Sequence, residues 1–346
     1  MKTAISIGSA YYNGDNWGEL VDYTQHAERL GVDQAWSAEA WGMDAVVPLA
    51  YMAAKTSKIQ LGTGIMQISA RVPSMIAMTS QSLANVSNDR FILGLGVSGP
   101  QVVEGLHGQS FAKPLGRLRE CIDVVKKGLA GEKLEYQGKH IVLPRPGGEG
   151  KAIRLSQPPR PNLPIYLATL GPLSLKLTGE LADGWLGTSF IPEQAEVFFA
   201  PMREGALKAG RNFEDIDIQV GASIEVGENV EEMIAARKPN MAFVLGGMGS
   251  ADTNFYNDAF ARSGYRDIAE EVQLLWVNGK RSEAINRVPD EMILKTNLIG
   301  TRQMIKDRLS DYQQAGVTTL RVGTVGTTLS EKIEQLEQAM DLLATA

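Results

Sequence analysis

The chain holds one cysteine, Cys121, in 346 residues. A lone thiol forms no intrachain disulfide and cannot build a cysteine-based metal site. Histidine is almost as scarce. His26, His107 and His140 are scattered without ligand spacing, so no metal centre is expected. No run of 18 apolar residues occurs, so a membrane partner is not expected. The opening MKTAISIGSAYYNGD is too short and too interrupted in its apolar part for a signal peptide, which makes a cytoplasmic protein the expectation. Basic residues are outnumbered and the net charge is -6, which argues against nucleic acid as the main partner. A small anionic ligand stays open, because it needs only a local cluster of donors. The G-x-S-x-G elbow is missing as well, and a serine hydrolase has no support.

What the chain does have is ordinary globular material, 44% hydrophobic and 21% charged, arranged in a strict rhythm. Short apolar runs alternate with longer amphipathic segments, the pattern of βα units. Strands are expected at Thr3–Gly8, Gln34–Ser37, Ile59–Gly64, Phe91–Val97, Ile165–Ala168, Gly184–Gly187, Ile216–Ile224 and Thr318–Val322. Helices are expected between them, including Asp44–Lys55, Pro73–Val86, Leu115–Leu129 and Pro192–Ala209. Two stretches break the rhythm. Residues 132–164 carry Pro144, Pro146, Pro158, Pro159, Pro161 and Pro164 and a hairpin signal at Tyr136–His140. Residues 228–297 read as helix with no clear strand. Eight βα units favour a (β/α)8 TIM barrel, one α/β domain over residues 1–346 with insertions after the fourth and seventh strands. An open sheet with a helical cap is the alternative.

In a barrel the chemistry gathers at the carboxyl ends of the strands. The second ends in Trp36-Ser37-Ala38-Glu39-Ala40-Trp41. Glu39 falls where a carboxylate can move a proton, or more plainly cap a helix or pair with an arginine, and Trp41 can wall an apolar pocket. The third ends in Leu61-Gly62-Thr63-Gly64-Ile65, where two glycines suggest a bulge or a plain barrel corner. The fourth ends in Gly94-Leu95-Gly96-Val97-Ser98-Gly99. This matches the letters of the dinucleotide fingerprint, but in the fourth unit and without a following strand-end acid, so a small-residue loop beside a ligand is the better account. His107 follows that loop and could line the mouth. After the fifth strand, Leu170-Gly171-Pro172 opens a helix whose first N–H groups suit an anion. Thr188 and Ser189, after the sixth, could donate to the same anion.

In this order the pieces resemble the luciferase-like superfamily, specifically its F420-dependent branch, which includes methylenetetrahydromethanopterin reductase. The likeness rests on Trp36-Ser37-Ala38-Glu39, Leu61–Ile65, Phe91–Gly96, Pro164–Ala168, Gly179–Trp185, Leu298–Thr301 and Ala315–Thr318, and so spans nearly the whole chain. It implies a non-prolyl cis peptide at Gly64-Ile65 backing a deazaflavin ring. It implies contacts to coenzyme F420 from Ser37, Trp41, Gly64, Ile65, Ser98, Gly99, Leu170, Gly171 and Thr188, the last three beside the phosphate. Glu39 and His107 become the candidates for proton handling. The sugar-phosphate dehydrogenases of the branch carry a histidine after the strand-two acid and a glutamate after strand four. Here Ala40 and Pro100 stand there, and that pair does not carry over.

The resemblance thus implies hydride transfer between the deazaflavin C5 and a small organic substrate, in a homodimer. An FMN-dependent monooxygenase of the same superfamily and a non-catalytic flavin-binding protein are the rival readings.

Overall fold

The computed structural model describes residues 1–7, 16–250 and 253–345. Gly8, the expected end of the first strand, lies outside them. Strand β1 (Lys2–Ser6) precedes helix α1 (Trp17–Arg29), which stops as the chain reverses at Gly31, φ 84°. Then come β2 (Gln34–Ser37), α2 (Val46–Ala53), β3 (Gln60–Thr63), a two-residue β4 (Met66–Gln67) and α3 (Pro73–Val86). Strand β5 (Phe91–Gly96) passes through a π-helical turn at Gln101–Leu106 into α4 (Pro114–Leu129). The hairpin β6 (Tyr136–Gln137) and β7 (Val142–Leu143) stands where the sequence signals it, before β8 (Ile165–Leu167) and α5 (Pro172–Leu181). Proline opens α3, α4 and α5, a position where its missing N–H costs no helical bond.

The second half continues with β9 (Gly184–Gly187), α6 (Glu196–Lys208) and β10 (Asp217–Val226). Helices α7 (Val230–Gly246), α8 (Phe255–Phe260), α9 (Arg266–Val277), α10 (Arg281–Arg287) and α11 (Asp290–Thr296) form the second insertion. They enclose an apolar core of their own around Leu245, Phe260, Val272 and Met292. Strand β11 (Leu298–Gly300), α12 (Arg302–Gln314), β12 (Thr319–Gly323) and α13 (Leu329–Ala344) complete the chain.

The chain divides into two compact units, one of residues 6–25 and 33–168, the other of residues 1–5, 26–32 and 169–346. In the first, β2, β3, β5 and β8 are parallel neighbours, with Gln34 opposite Gln60, Leu61 opposite Phe91 and Leu93 opposite Ile165. In the second, β9, β10, β12 and β1 are parallel neighbours, with Trp185 opposite Ile218, Val220 opposite Leu320, and Leu320 opposite Thr3. Together these are the eight parallel strands of a (β/α)8 barrel. The insertions follow the fourth and seventh of them, as expected.

Side chains alternate across each strand. On β10 and β12 the apolar set, Ile218, Val220, Ala222, Leu320 and Val322, is buried. It belongs to the face that helices cover. Gln219, Gly221, Ser223, Thr319 and Arg321 share the opposite face, which in this fold lines the barrel. Helices α5 and α6 approach closely because each carries a glycine at the crossing. A Cβ on Gly179 would lie 1.9 Å from the Met202 carbonyl oxygen, and one on Gly205 1.9 Å from that of Lys176.

Three expectations need correction. Strands β4 and β11 go unforeseen, being two and three residues long, too short to show period-two alternation. The helix expected at Pro192–Ala209 is broken into a 3-10 turn at Pro192–Gln194 and α6. The helix expected at Asp44–Lys55 is shorter at both ends: the Asp44 carboxylate accepts the Val46 and Val47 N–H groups, which starts α2 there.

Candidate functional site

In the unit that holds β2 to β8, the end of β3 carries the bulge. The Gly64–Ile65 peptide is cis. Gly64 N–H donates to the Ser37 carbonyl at 2.7 Å, and Glu39 N–H donates to the Ile65 carbonyl at 3.3 Å. The end of β2 therefore cradles the bulge from one side. Beneath it, Gly62 lets the Trp36 indole lie flat over the strand: a Cβ there would come within 2.4 Å of the ring. On the far side the Ile65 side chain covers Gly96 of β5, 2.7 Å from where a Cβ would stand. Both glycines make room for bulky neighbours, which a reading of turn propensity alone misses.

Glu39 is the brace of this arrangement. Its side chain is only 7% exposed, so each oxygen needs a partner. Oε1 accepts the Arg71 guanidinium at 2.5 Å and the Gln67 N–H at 2.9 Å, while Oε2 accepts the Ala45 N–H at 3.2 Å. Gln67 Nε2 returns a bond to the Glu39 carbonyl at 3.1 Å. Helix capping and arginine pairing, the plainer reading of this acid, are thus both realised. Arg71 and Gln67 are site residues that sequence reasoning misses. Arg71 has no motif to mark it, since it lies between β4 and α3 and reaches back across 32 positions.

Beside the bulge, Ser37 Oγ and Gln67 Oε1 are buried without a hydrogen-bond partner among the described residues, and so, further along the chain, are Ser69 Oγ and His107 Nε2. Buried polar atoms are nearly always paired in a folded chain, so these oxygens leave hydrogen-bonding capacity beside the bulge. Ser98 takes φ 61°, a conformation that turns the chain sharply after β5. Gly99 offers its carbonyl to Val102 and Val103 at 3.1 and 2.9 Å, starting the π-helical turn that His107 caps. Trp41 remains 52% exposed, a large apolar face beside the end of β2.

In the other unit, Gly171 is the residue before α5, and no side chain caps that helix. Pro172 has no N–H, which leaves those of Leu173 and Ser174 directed out of the first turn. The Gly171 carbonyl is already taken, by Ser174 Oγ and Leu175 N–H, both at 2.9 Å. Arg262 comes to this spot from the second insertion and donates to the Leu170 carbonyl at 2.6 Å. Burial lowers its pKa, and Asp258 opposes that only in part. An uncapped helix start with a half-buried guanidinium beside it has the donors of an anion cradle. Thr188 follows β9 and is partly exposed. Arg262 was not legible, since nothing in a helical segment says which of its cations turns inward.

Eight parallel strands, the third ending in a bulge, define the class of α/β barrel enzymes. The model of the luciferase-like monooxygenase family matches residues 2–319, and the chain belongs to that family. It is 37% identical over 352 residues to a protein of Mycobacterium tuberculosis assigned as a coenzyme F420-dependent oxidoreductase, covering 99% of this chain and 98% of the relative. The solved F420-dependent tetrahydromethanopterin reductase of Methanopyrus kandleri superposes with a TM-score of 0.77 at 24% identity, over 98% of this chain and 97% of that one. A solved F420-dependent secondary alcohol dehydrogenase in complex with an F420–acetone adduct gives a TM-score of 0.78 at 16% identity, over 99% and 98%. No helix among the described residues is long and apolar enough to cross a membrane.

Proposed function

We propose that the protein is an F420-dependent oxidoreductase acting on a small organic substrate. The observation that carries this reading is the Gly64–Ile65 bulge with the Ser37 hydroxyl and the Gln67 amide oxygen buried beside it, neither with a hydrogen-bond partner among the described residues. A deazaflavin fits that setting, having one flat face for an apolar bulge and one edge of carbonyl and N–H groups for the two oxygens. F420, when bound, supplies hydride chemistry at C5, in either direction. The relative at 37% identity, assigned to the same cofactor across nearly the full length, supports the choice.

The chain's own part is to bind, orient and keep water out. Ile65, propped by Gly96 and held from behind by β2, would set the ring's height. Ser37, Ser98 and Gly99 would meet its polar edge, with Trp41 closing one side. Leu170, Gly171 and Thr188, joined by Arg262, would take the phosphate. His107 is the group we assign to hold or pass a proton, because Nε2 has no partner among the described residues. Glu39 holds the bulge through Arg71 and Gln67, and we assign it a positioning role in place of the proton-handling one.

Fluorescence titration with F420 and, separately, with FMN tests the reading. Tight F420 binding and weak FMN binding are expected; the reverse would place the protein with the FMN-dependent monooxygenases. A homodimer in the cytoplasm goes with the family resemblance, and light scattering checks the first of these.

A further inference from the structure

Arg321 stands in the middle of β12 between Leu320 and Val322, which are buried at 0% and 2% exposure. Alternation turns Arg321 to the opposite face, the one that lines the barrel. It pairs in register with Gly221 of β10 and Ala4 of β1. The guanidinium lies across Gly221, since a Cβ there would come within 3.0 Å of Nη2 and 3.4 Å of Nε. The two small neighbours give it space.

The surrounding protein lowers its pKa by desolvation alone. Yet the residue keeps part of its surface exposed to solvent. The guanidinium is thus enclosed by protein and still reached by solvent. Among the described residues Arg321 has no hydrogen-bond or ion-pair partner. The other enclosed arginines behave differently. Arg71 is paired with Glu39, Arg237 with Glu225, and Arg308 with Glu193 and Asp311. Arg90 donates to the carbonyls of Ser87, Ile59, Ala53 and Thr56. An enclosed cation with no counter-ion among its described neighbours is destabilising, and an incoming anion would complete it.

We infer that Arg321 binds an anionic group, a carboxylate or phosphate, on the substrate of the F420 reaction, an inference that rests on the function proposed above. The cofactor's own phosphate is the other source of such a group. It is disfavoured because the anion cradle lies by the start of α5, with Thr188 at the end of β9, and β12 is two strands from β9 in the order β9, β10, β12. At about 4.8 Å per strand that is roughly 10 Å. The polar lining continues toward the carboxyl end of β10, where Ser223 donates to Asn297 at 2.7 Å and accepts Arg237 at 3.0 Å. The inferred substrate is therefore a small acid whose charged end enters between β10 and β12.

The test uses the full chain with Arg321→Gln and Arg321→Lys. Calorimetric titration with inorganic phosphate, acetate, succinate and benzoate, with and without F420, reads anion binding. Fluorescence titration reads F420 binding, and thermal unfolding reads the fold. At least one anion is expected to bind the natural protein, about tenfold or more weakly to Arg321→Gln, with Arg321→Lys between. F420 affinity should stay within twofold in both variants, and Arg321→Gln should unfold at the same temperature as the natural protein or higher. Equal anion binding by all three proteins, or none by the natural one, overturns the inference. A fall in F420 affinity in Arg321→Gln gives the cation to the cofactor, and a large fall in unfolding temperature gives it a partner within the chain; either also overturns it. Failure of the natural protein to bind F420 sinks the proposed function separately, while the titrations without F420 still decide whether Arg321 holds an anion.

Discussion

Arg71 and Glu39, 32 positions apart, meet at 2.5 Å, and the oxygen they share also accepts the N–H of Gln67. One carboxylate thus ties the end of β2, the start of α2 and the chain beyond the bulge into a single rigid corner. Removing either partner leaves a charge enclosed and unpaired, which costs about 3–5 kcal/mol in comparable pairs. Glu39→Ala and Arg71→Ala should each destabilise on that scale in urea unfolding. The double variant should lose clearly less than the sum, because the pair is coupled. Simple additivity would show the two act apart. Because the corner sets the bulge, Glu39→Gln should weaken F420 binding and turnover together; a loss of turnover alone would return a proton-handling role to Glu39.

Gly179 and Gly205 permit α5 and α6 to touch backbone to backbone. Alanine at either position would place its methyl 1.9 Å from a carbonyl oxygen on the other helix. Neither helix can yield without disturbing its own hydrogen bonds, so each substitution should cost about 3 kcal/mol. Gly105→Ala, where the added carbon meets nothing within 4 Å beyond its own turn of chain, is the control and should change stability by less than about 0.5 kcal/mol.

Glu120 fastens the β6–β7 hairpin to α4. Its carboxylate accepts the N–H groups of Lys139, His140 and Ile141 at 2.7 to 2.8 Å. Desolvation pushes the carboxyl upward, but these three donors outweigh it and hold the pKa below its ordinary 4.5. The stabilisation is therefore present above that ordinary value and is lost as pH falls through the lowered one. Glu120→Gln should be less stable by about 1–3 kcal/mol at neutral pH, and the gap should close below about pH 4. A gap that persists in acid would mean packing, not charge, fastens the hairpin.

Arg262 reaches the start of α5 from the second insertion. Arg262→Gln should raise the Kd for F420 about tenfold, the loss of one charge-assisted bond to phosphate. The difference should shrink with added salt, as an electrostatic contribution does. An unchanged Kd would leave Arg262 as a tie to the Leu170 carbonyl and nothing more.

The barrel was legible because its signal repeats. Eight apolar runs, each followed by a helix-length segment, leave little else for the chain to form, and the Gly64-Ile65 corner carries its own glycine. What stayed hidden depends on side chains from distant elements meeting. Glu39 can be placed at a strand end by counting, but its partners Arg71 and Ala45 belong to segments with no marking pattern. Arg321 reads in the sequence as one more polar residue, after Thr319, in an alternating strand. Its lack of a partner is a property of every neighbour at once. Arg262 lies in helical sequence whose periodicity does not disclose its docking face. The two-residue β4 and three-residue β11 carry too few side chains to show any period.

Cys121 is buried in α4, and desolvation pushes its thiol up to about 12. Near neutral pH fewer than about one in ten thousand such thiols is ionised, and the thiolate is the form that reacts. Maleimide and iodoacetamide should therefore ignore the natural chain. A cysteine introduced at an exposed position, such as Leu207 at 80% exposure, would be the sole site for a dye or spin label. The protein is in effect a cysteine-silent scaffold, ready for distance measurements with no background thiol to remove.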